Sequence, residues 1–506
     1  MMRSETQGFV SGFFTRFLPF SSSIKTILVL FVITLVCLPY ADLDVAITSP
    51  WIVLRRILMG AITPSYPSAM ELLNALVLTV QFAVVGVMAA VVVGLLLARF
   101  YRWQVVRWFC ALIRAVHELF WALLLIALVG VSPLAGLLAI AIPYSGIFAK
   151  VFYEMLLQAD STPGLVLQGK SGFFSRLIYS KLAQMAPRMS RYISYRLECA
   201  LRSSAVLGFV GLPTLGYYLE TSIKEGRYSE VWLLMYLLLV LIGTKRWWFS
   251  RRSWLLLTVL AFVSFPFSAG VLLQDVGQFI SEDLMPAPLR MDNVTLESWW
   301  LFLSWFDHLW QTEIFPGVVN TFVLTMLSLI ATAGFVLLML PGQSVLFAPK
   351  YTWLLGRAVV LLVRSLPEVI LAFIVMLIIG PSMLPAIVAL AIHNGGVISY
   401  LMRHQMDGLT LRQDHATGLL LYCYEVMPRI STQFMSFWLY RWEVIMRETA
   451  ILGLLGVPTL GFYIDSAFED IRYDRAFILI LAAAVLNIGI ETISGRLQRL
   501  LNSTAS

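Results

Sequence analysis

Charged residues stand at matched positions in two apolar stretches of the chain. Glu118 and Glu368 each begin a run of apolar residues. If such runs span a membrane, an ionisable residue within them is a functional hypothesis by default, because a charge in lipid is costly. The alternative is structural: each carboxylate caps a helix at the membrane interface or pairs with Arg114 or Arg364, which stand four residues earlier. Both interpretations remain open.

Two further pairs of charges have helical spacing. Glu198 and Arg202 are four residues apart, and so are Glu443 and Arg447. This spacing places both side chains on one face of a helix, where opposite charges attract each other. We interpret the pairs as structural ion pairs, with a role in transport as the alternative.

A short glycine-rich motif matches a known phosphate-binding pattern. Gly164–Ser171 reads GLVLQGKS and fits GxxxxGK[ST]. That pattern binds phosphate where it follows a β-strand and opens a helix, because backbone N–H groups then surround the phosphates. Here it follows an apolar segment and the polar stretch Gln158–Pro163. We predict that it does not bind ATP; a surface helix offering an apolar face to a partner and an ordinary solvated loop are the remaining interpretations.

The composition of the whole chain is that of a membrane protein. Of its 506 residues, 59% are hydrophobic and 13% are charged, whereas soluble domains carry about 25% charged residues. Much of the surface must therefore face lipid. The four cysteines and five histidines show neither metal-binding nor catalytic spacing, so we expect no metal site and no enzymatic centre.

Apolar segments long enough to cross a bilayer, about 20 residues each, recur along the chain. They cover approximately residues 24–40, 73–98, 108–130, 134–152, 192–218 and 230–244, and then 253–273, 318–341, 357–379, 382–402, 431–462 and 475–492. The predicted fold class is an all-α integral membrane protein with about twelve transmembrane helices, six in each half.

Basic and acidic loops alternate between these segments. Lysine and arginine cluster in residues 99–107, 170–188 and 245–252, whereas residues 220–230 and 275–292 are mainly acidic. Basic loops face the cytoplasm, so we predict that both termini are cytoplasmic. The net charge of +7 is then a consequence of topology and does not indicate a nucleic-acid partner.

The two halves of the chain repeat each other in register. Glu198–Leu219 (ECALRSSAVLGFVGLPTLGYYL) and Glu443–Ile464 (EVIMRETAILGLLGVPTLGFYI) share eleven of 22 residues, and Arg114–Gly146 resembles Arg364–Gly396. Six spans in each half make both modules start on the same side of the membrane. We therefore predict two parallel repeats related by a pseudo-twofold axis along the membrane normal.

Each repeat contains a glycine turn with a central proline. Proline removes an N–H group and glycine permits tight turns, so the fifth and eleventh spans should break there. Broken helices at matching positions indicate a transport pathway, with a packing kink as the alternative. The candidate gate residues are Gly211, Pro213 and Gly216 in the first half and Gly456, Pro458 and Gly461 in the second.

These blocks resemble the membrane permeases of binding-protein-dependent ABC importers, specifically the phosphonate type. The resemblance is carried by Arg114–Ile142, by the loop Gly169–Pro187 and by Arg196–Gly211 (RLECALRSSAVLGFVG). It covers most of both repeats. A member of this family usually has one such module in each chain and works as a dimer, whereas this chain would supply both modules.

The resemblance implies partners and cofactors that lie outside this chain. They are two cytoplasmic ABC ATPase subunits, which would carry ATP and Mg, and a periplasmic solute-binding protein, at the bacterial inner membrane. It also implies that the loops between the fourth and fifth spans of each module dock into the ATPases. The candidate coupling residues are Gly169, Lys170, Gly172 and Phe173 in the first loop and Asp407 and Gly418 in the second.

Departures from the family pattern concern the solute and the symmetry. His117 stands where proline is common, and the family turn GAGGIG is replaced by GLPTLG and GVPTLG. The second docking loop, Asp407–Pro428, is shorter than the first, Ser161–Pro187. Phosphonate, phosphite and phosphate remain open as solutes. A two-repeat secondary transporter driven by an ion gradient is the first alternative function, although Arg99–Arg107 lacks its loop motif, and a membrane enzyme is the second.

The predicted organisation follows from the repeat and the loops. It comprises a cytoplasmic N-terminus (1–23), a first permease module (24–245), a cytoplasmic linker (246–252), a second permease module (253–495) and a cytoplasmic tail (496–506).

Overall fold

A computed structural model shows a helical protein. It describes residues 22–45, 50–66, 68–160, 162, 172, 177–250, 252–267, 273–290, 295–414 and 417–505. Within these ranges there is no β-strand, which confirms the predicted all-α class. The first half contains α1 (Ser22–Cys37), α2 (Pro50–Ile62), α3 (Ala69–Phe100), α4 (Gln104–Ala115), α5 (Glu118–Val129), α6 (Pro133–Leu157), α7 (Ala183–Val206), α8 (Leu215–Lys224), α9 (Tyr228–Gly243) and α10 (Lys245–Trp248).

The second half follows a similar order of long and paired helices. It contains α11 (Trp254–Val263), α12 (Leu273–Gln278), α13 (Leu296–Leu309), α14 (Phe315–Met339), α15 (Lys350–Ser365), α16 (Glu368–Ile379), α17 (Met383–Asp407), α18 (Gly418–Leu421), α19 (Met427–Leu452), α20 (Leu460–Glu469) and α21 (Tyr473–Ala505). Short 3₁₀ and π turns join several of them, including Leu207–Val210 before α8 and Gly453–Leu455 before α20.

Six described helices are long and apolar enough to cross a membrane, and four helix pairs pass the same test as broken spans. The six helices cover Ser23–Tyr40, Ala69–Phe100, Pro133–Leu157, Leu296–Met339, Met383–Asp407 and Tyr473–Leu501. The other two predicted spans correspond to shorter apolar helices, α9 with 16 residues and α11 with 10. The chain is thus a multi-pass membrane protein with six to ten candidate spans, and the twelve-span arrangement stays a prediction.

Two segments predicted as single spans, 108–130 and 357–379, are each a pair of helices. The pairs bend by 91° and 102° because Val116 and Leu366 have extended backbones. In the second pair, Pro367 lacks the N–H that a continuous helix needs. In the first pair, the Nδ1 atom of His117 accepts a hydrogen bond of 3.1 Å from the N–H of Leu119 and caps the new helix.

The helices form two compact units, which are described separately. The first unit comprises residues 1–48, 315–462 and 489–506, and the second comprises residues 49–314 and 463–488. Each unit therefore includes segments from distant parts of the chain.

The second unit is built around the close packing of α3 and α6. Small residues permit this packing, because a Cβ atom at Gly94 would lie 3.0 Å from the carbonyl oxygen of Ser145 and one at Gly136 would meet the ring of Phe82. Small residues at helix contacts are typical of membrane proteins, where backbones approach closely.

The first unit has α14 and α17 at its centre, with α19 packed beside them. A Cβ atom at Gly395 would collide with the ring of Phe335. The buried indole of Trp438 donates a hydrogen bond of 2.8 Å to the carbonyl oxygen of Leu329. Helix α21 joins this unit through Ser494, whose hydroxyl donates to the carbonyl oxygen of Leu439 at 2.6 Å.

Candidate functional site

The two glycine turns have the same backbone geometry. The 3₁₀ turn before the first break ends at Gly211, with φ 86°, and the one before the second ends at Gly456, with φ 80°. Glycine adopts this left-handed conformation without the steric cost that other residues incur. The helices bend by 53° at the first turn and by 47° at the second. The structure thus confirms the predicted breaks in both segments.

The arms on either side of each turn pack backbone against backbone. A Cβ atom at Gly208 would collide with the N–H of Tyr217, and one at Gly216 would collide with the carbonyl oxygen of Ala205. Gly453 and Gly461 have the same relationship to Phe462 and to Ala450. The glycines therefore allow the two arms of one hairpin to touch.

Gly216 and Gly461 were predicted from the sequence, but with a different role, namely to let the two turns approach each other. Sequence reasoning missed Gly208 and Gly453, although both are identical in the aligned repeat. Their identity was the available evidence, and the contact across each hairpin explains it.

A threonine from a preceding long helix fixes the start of each second arm. The Oγ1 atom of Thr79 in α3 accepts a hydrogen bond of 3.0 Å from the N–H of Leu215. Thr321 in α14 does the same for the N–H of Leu460, also at 3.0 Å. These bonds satisfy an otherwise unpaired N–H at each helix start. Sequence reasoning missed both threonines, because the repeat blocks it used do not extend to α3 and α14.

A second pair of threonines lies inside the turns themselves. Thr214 and Thr459 are fully buried, and their hydroxyl oxygens make no hydrogen bond with any described residue. A buried hydroxyl without a partner costs about 1–3 kcal/mol. Beside the first turn is a pocket of about 380 Å³, lined in part by Phe209, Tyr217 and Lys224. Both turns thus contain, at matching positions, a buried hydroxyl whose lack of a hydrogen bond costs free energy.

Glu118 belongs to a largely buried polar cluster in the second unit. Its Oε1 atom accepts a hydrogen bond of 2.5 Å from the hydroxyl of Ser203. The hydroxyl of Ser203 lies 3.3 Å from that of Tyr144, and the guanidinium of Arg196 lies 5.8 Å from the Tyr144 ring centroid. His117 Nε2 lies 3.6 Å from the Glu118 carboxylate. This cluster joins α5, α6 and α7.

Glu368 belongs to a corresponding cluster in the first unit. Its carboxylate lies 4.0 Å from Nε2 of the buried His393. Asn394 donates a hydrogen bond of 2.7 Å to Glu448 and accepts one of 3.2 Å from the guanidinium of Arg441. This cluster joins α16, α17 and α19.

The two clusters occupy aligned positions of the internal repeat. The alignment that pairs Glu118 with Glu368 also pairs Tyr144 with Asn394. The alignment that pairs Glu198 with Glu443 also pairs Ser203 with Glu448, and Arg196 with Arg441. Sequence reasoning found only the two glutamates, because the other paired residues differ in type or precede the aligned block. Both halves thus have a polar cluster at the same place in the repeat, but the residue types in the two clusters differ.

One group in the second cluster could hold a metal ion. The candidate ligand atoms of Glu368, His393 and Glu448 lie within 4.8 Å of one another. Carboxylate and imidazole are ligands that zinc prefers, at about 2.0–2.2 Å. Two such ligands would stand roughly 3.3 Å apart, so the 4.0 Å between Glu368 and His393 would have to shorten. The expectation that the chain binds no metal stays a prediction.

The charged residues predicted to pair on the fifth and eleventh spans make polar contacts in the structure. Glu443 and Arg447 are 3.8 Å apart. The carboxylate of Glu198 accepts a bond of 3.0 Å from Lys245, and the guanidinium of Arg202 lies 3.6 Å from the sulfur of Cys199. The bond from Lys245 ties α7 to α10.

Comparison with known proteins connects this geometry to transport. The phosphate-import permease protein of Mycolicibacterium smegmatis is 24% identical over 412 residues, which are 76% of this chain and 75% of that protein. The phosphite transport system permease protein of Stutzerimonas stutzeri is 26% identical over 152 residues, 28% of this chain and 55% of that protein. These relatives support the resemblance of the chain to the phosphonate-type permeases of ABC importers. No family model and no solved structure matches the chain.

The relatives are transport permease components and not enzymes, which supports the expectation that the chain has no enzymatic centre.

The structure describes the first candidate coupling loop only at its borders. Gly169, Lys170 and Phe173 lie outside the described residues, and Gly172 is exposed. At its start, the N–H of Asp160 donates a hydrogen bond of 3.1 Å to Gln184, whose amide donates back to the Asp160 carbonyl oxygen at 3.0 Å.

The second candidate coupling loop is organised by contacts within the chain. The carboxylate of Asp407 accepts hydrogen bonds from the hydroxyl of Ser344 at 2.9 Å and from Arg357 at 3.0 Å. Glu425 accepts a bond of 3.0 Å from the N–H of Arg412, and Gly418 has φ 62°. Asp407 therefore holds the end of α17 against α15.

Proposed function

We propose that the chain is the transmembrane part of an ATP-driven importer for a phosphorus oxyanion in the bacterial inner membrane. The observation that carries the proposal is the repeated hairpin, in which glycines such as Gly208 and Gly453 permit backbone contact across a break. Paired broken helices are typical of transport pathways. The names of the relatives, which refer to phosphate and phosphite, support this class of solute, with phosphonate as the third candidate.

The proposed architecture has twelve spans in two parallel modules, 24–245 and 253–495, with both termini in the cytoplasm. The order of elements supports it. A long helix, a sharply bent pair, a second long helix, a broken hairpin and a final apolar helix follow one another both from α3 to α9 and from α14 to α21.

The proposed energy source lies on separate subunits. Two ATPases would bind the loops 161–187 and 407–428, and a periplasmic binding protein would deliver the solute. ATP and Mg would be bound by the ATPases alone. The bonds at the border of the first loop and around Glu425 in the second would transmit a push from an ATPase directly to α7 and α19.

The proposed gate consists of the turns 211–216 and 456–461, which would face each other across the pseudo-twofold axis. Pro213 and Pro458 would fix the breaks, while Gly216 and Gly461 keep each hairpin closed. The buried hydroxyls of Thr214 and Thr459 support movement, because a second state that gives them partners would recover the cost of leaving them unpaired.

The polar clusters would make each hairpin move with its neighbours. Ser203 lies five residues before Gly208, and Glu448 lies five residues before Gly453. The bonds from Ser203 to Glu118 and from Asn394 to Glu448 would therefore tie the first arm of each turn to the adjacent helices. A positioning role fits these carboxylates better than contact with an anionic solute, which they would repel.

Reconstituted vesicles containing the chain, its ATPases and its binding protein would test the function. We expect uptake of labelled phosphate, phosphite or methylphosphonate that requires ATP and the binding protein. Uptake driven by an ion gradient without the ATPases would support the secondary transporter instead. A cysteine pair at Pro213 and Pro458 should crosslink in at least one nucleotide state, and a pair that never crosslinks would assign the gate to other residues.

A further inference from the structure

An open pocket of about 700 Å³ lies beside α2 in the second unit. It is bounded by α2 and by the turn 226–230 at the start of α9. The charged groups that line it are the guanidinium groups of Arg55, Arg56 and Arg227 and the carboxylate of Glu230. Three positive groups against one negative group make the pocket cationic.

Only part of this positive charge is neutralised within the protein. Arg227 lies 2.7 Å from Glu230 and 2.6 Å from Glu225. Arg55 and Arg56 are exposed and form no hydrogen bond or ion pair with any residue that the structure describes. The two arginines therefore leave an uncompensated double positive charge at the pocket.

Several other basic residues of the same unit are paired with carboxylates. Lys224 lies 2.7 Å from Glu220, and Arg475 lies 3.2 Å from Glu313. Arg290 lies 3.7 Å from Asp474. Carboxylates are thus available around this part of the unit, yet none lies within 4.0 Å of Arg55 or Arg56 among the described residues.

The helix that carries the two arginines also exposes large apolar side chains. Trp51, Ile52, Leu58, Met59 and Ile62 are 54–77% exposed. Arginines beside an exposed apolar surface are typical of a helix in the membrane interface, where the apolar groups enter the acyl region and the guanidinium groups reach the headgroups.

The contacts of α2 support a place in the interface. The indole N–H of Trp232 donates to the carbonyl oxygen of Ile57 at 2.7 Å, and the hydroxyl of Tyr236 donates to that of Ala61 at 3.0 Å. Both aromatic residues lie on the apolar helix α9. Tryptophan and tyrosine are enriched where a bilayer meets water.

We propose that this pocket binds the phosphate group of an anionic phospholipid, with the acyl chains against the exposed apolar side chains of α2. A guanidinium group matches two phosphate oxygens at once. Ser65 and Ser229, whose hydroxyls are neutral donors, line the same pocket. Inorganic phosphate shares the headgroup chemistry, but it would leave Trp51 and Ile62 uncovered.

Native mass spectrometry of the purified full chain tests this assignment. Phosphatidylglycerol and phosphatidylcholine would be offered at equal concentration to the wild type and to Arg55→Gln/Arg56→Gln. We expect a preference for phosphatidylglycerol that falls roughly 30-fold in the variant, since each arginine near an anionic lipid contributes about a factor of five. Arg55→Lys/Arg56→Lys keeps the charge and should keep most of the preference.

The matched control is Arg496→Gln/Arg499→Gln, which removes the same charge from exposed positions of α21. It should leave the preference unchanged. An equal loss in both double variants would mean non-specific attraction and overturn the proposal, as would a pocket variant with wild-type preference. If millimolar inorganic phosphate displaces phosphatidylglycerol from the wild type, the pocket takes the free oxyanion and the lipid assignment is wrong.

Discussion

The hydroxyl of Ser203 donates a 2.5 Å hydrogen bond to the carboxylate of Glu118, across 85 residues of sequence. It connects the first arm of the glycine hairpin to the sharp bend before α5. Because the serine is buried, the carboxylate has little water to replace a lost donor. The bond therefore supports the structural interpretation of Glu118.

Ser203→Ala should destabilise the chain by about 1–3 kcal/mol, since it removes a bond to a charged group. Thermal unfolding in detergent measures the change, and ATP-driven uptake should fall with it. The control is Ser204→Ala, because that buried hydroxyl donates only to the carbonyl oxygen of Leu201 in its own helix, at 2.8 Å. Equal losses of stability in the two variants would show that the bond to Glu118 contributes no more than a hydrogen bond within one helix.

Gly216→Ala should cost more than an ordinary glycine replacement in a helix. The added Cβ would collide with the carbonyl oxygen of Ala205, and overpacking of this kind costs about 1–3 kcal/mol or more. Gly461→Ala should behave alike, because its Cβ would meet the carbonyl oxygen of Ala450. Folded yield and the unfolding temperature are the measurements.

Gly243→Ala is the control for this prediction, because a Cβ atom there meets no other atom within 4 Å. It should be neutral or slightly stabilising, since alanine favours helix more than glycine does. A stability loss at Gly243 equal to that at Gly216 would mean that the hairpin contact is not the cause.

Glu282→Cys should react with a membrane-impermeant maleimide added to intact cells, because its acidic segment is predicted to be external. Cys423 is exposed and lies in the second coupling loop, so it should react only after permeabilisation. The chain that keeps Cys423 is therefore the control, and Cys423 would be changed to serine in the Glu282→Cys chain so that only the introduced cysteine reports there. The reverse pattern of labelling would invert the predicted topology.

Lys170→Ala should leave nucleotide binding by the assembled importer unchanged. The GxxxxGK[ST] match surrounding it follows the helix Pro133–Leu157 rather than the β-strand that such loops require. Fluorescent ATP analogues report binding, first to the isolated chain and then to the complex. If the isolated chain binds the ATP analogue and Lys170→Ala abolishes that binding, the motif is a nucleotide-binding site.

The sequence by itself determined the class of the protein and its local breaks. Low charge and long apolar runs require lipid around the helices, whatever their arrangement. The turns at Gly211 and Gly456 were predictable because proline and glycine act on the backbone within a few residues. The sharp bend at Val116 was not, because no proline marks it and the cap comes from the side chain of His117.

Tertiary structure alone decided which polar groups meet. Thr79 reaches Leu215 across 136 residues, and Asn394 reaches Glu448 across 54. Such bonds depend on which helix faces pack together. In a membrane the pattern of apolar residues does not identify those faces, because lipid and the protein interior are both apolar. The unpaired charge of Arg55 and Arg56 is likewise visible only in space, since a carboxylate near in sequence need not be near in the fold.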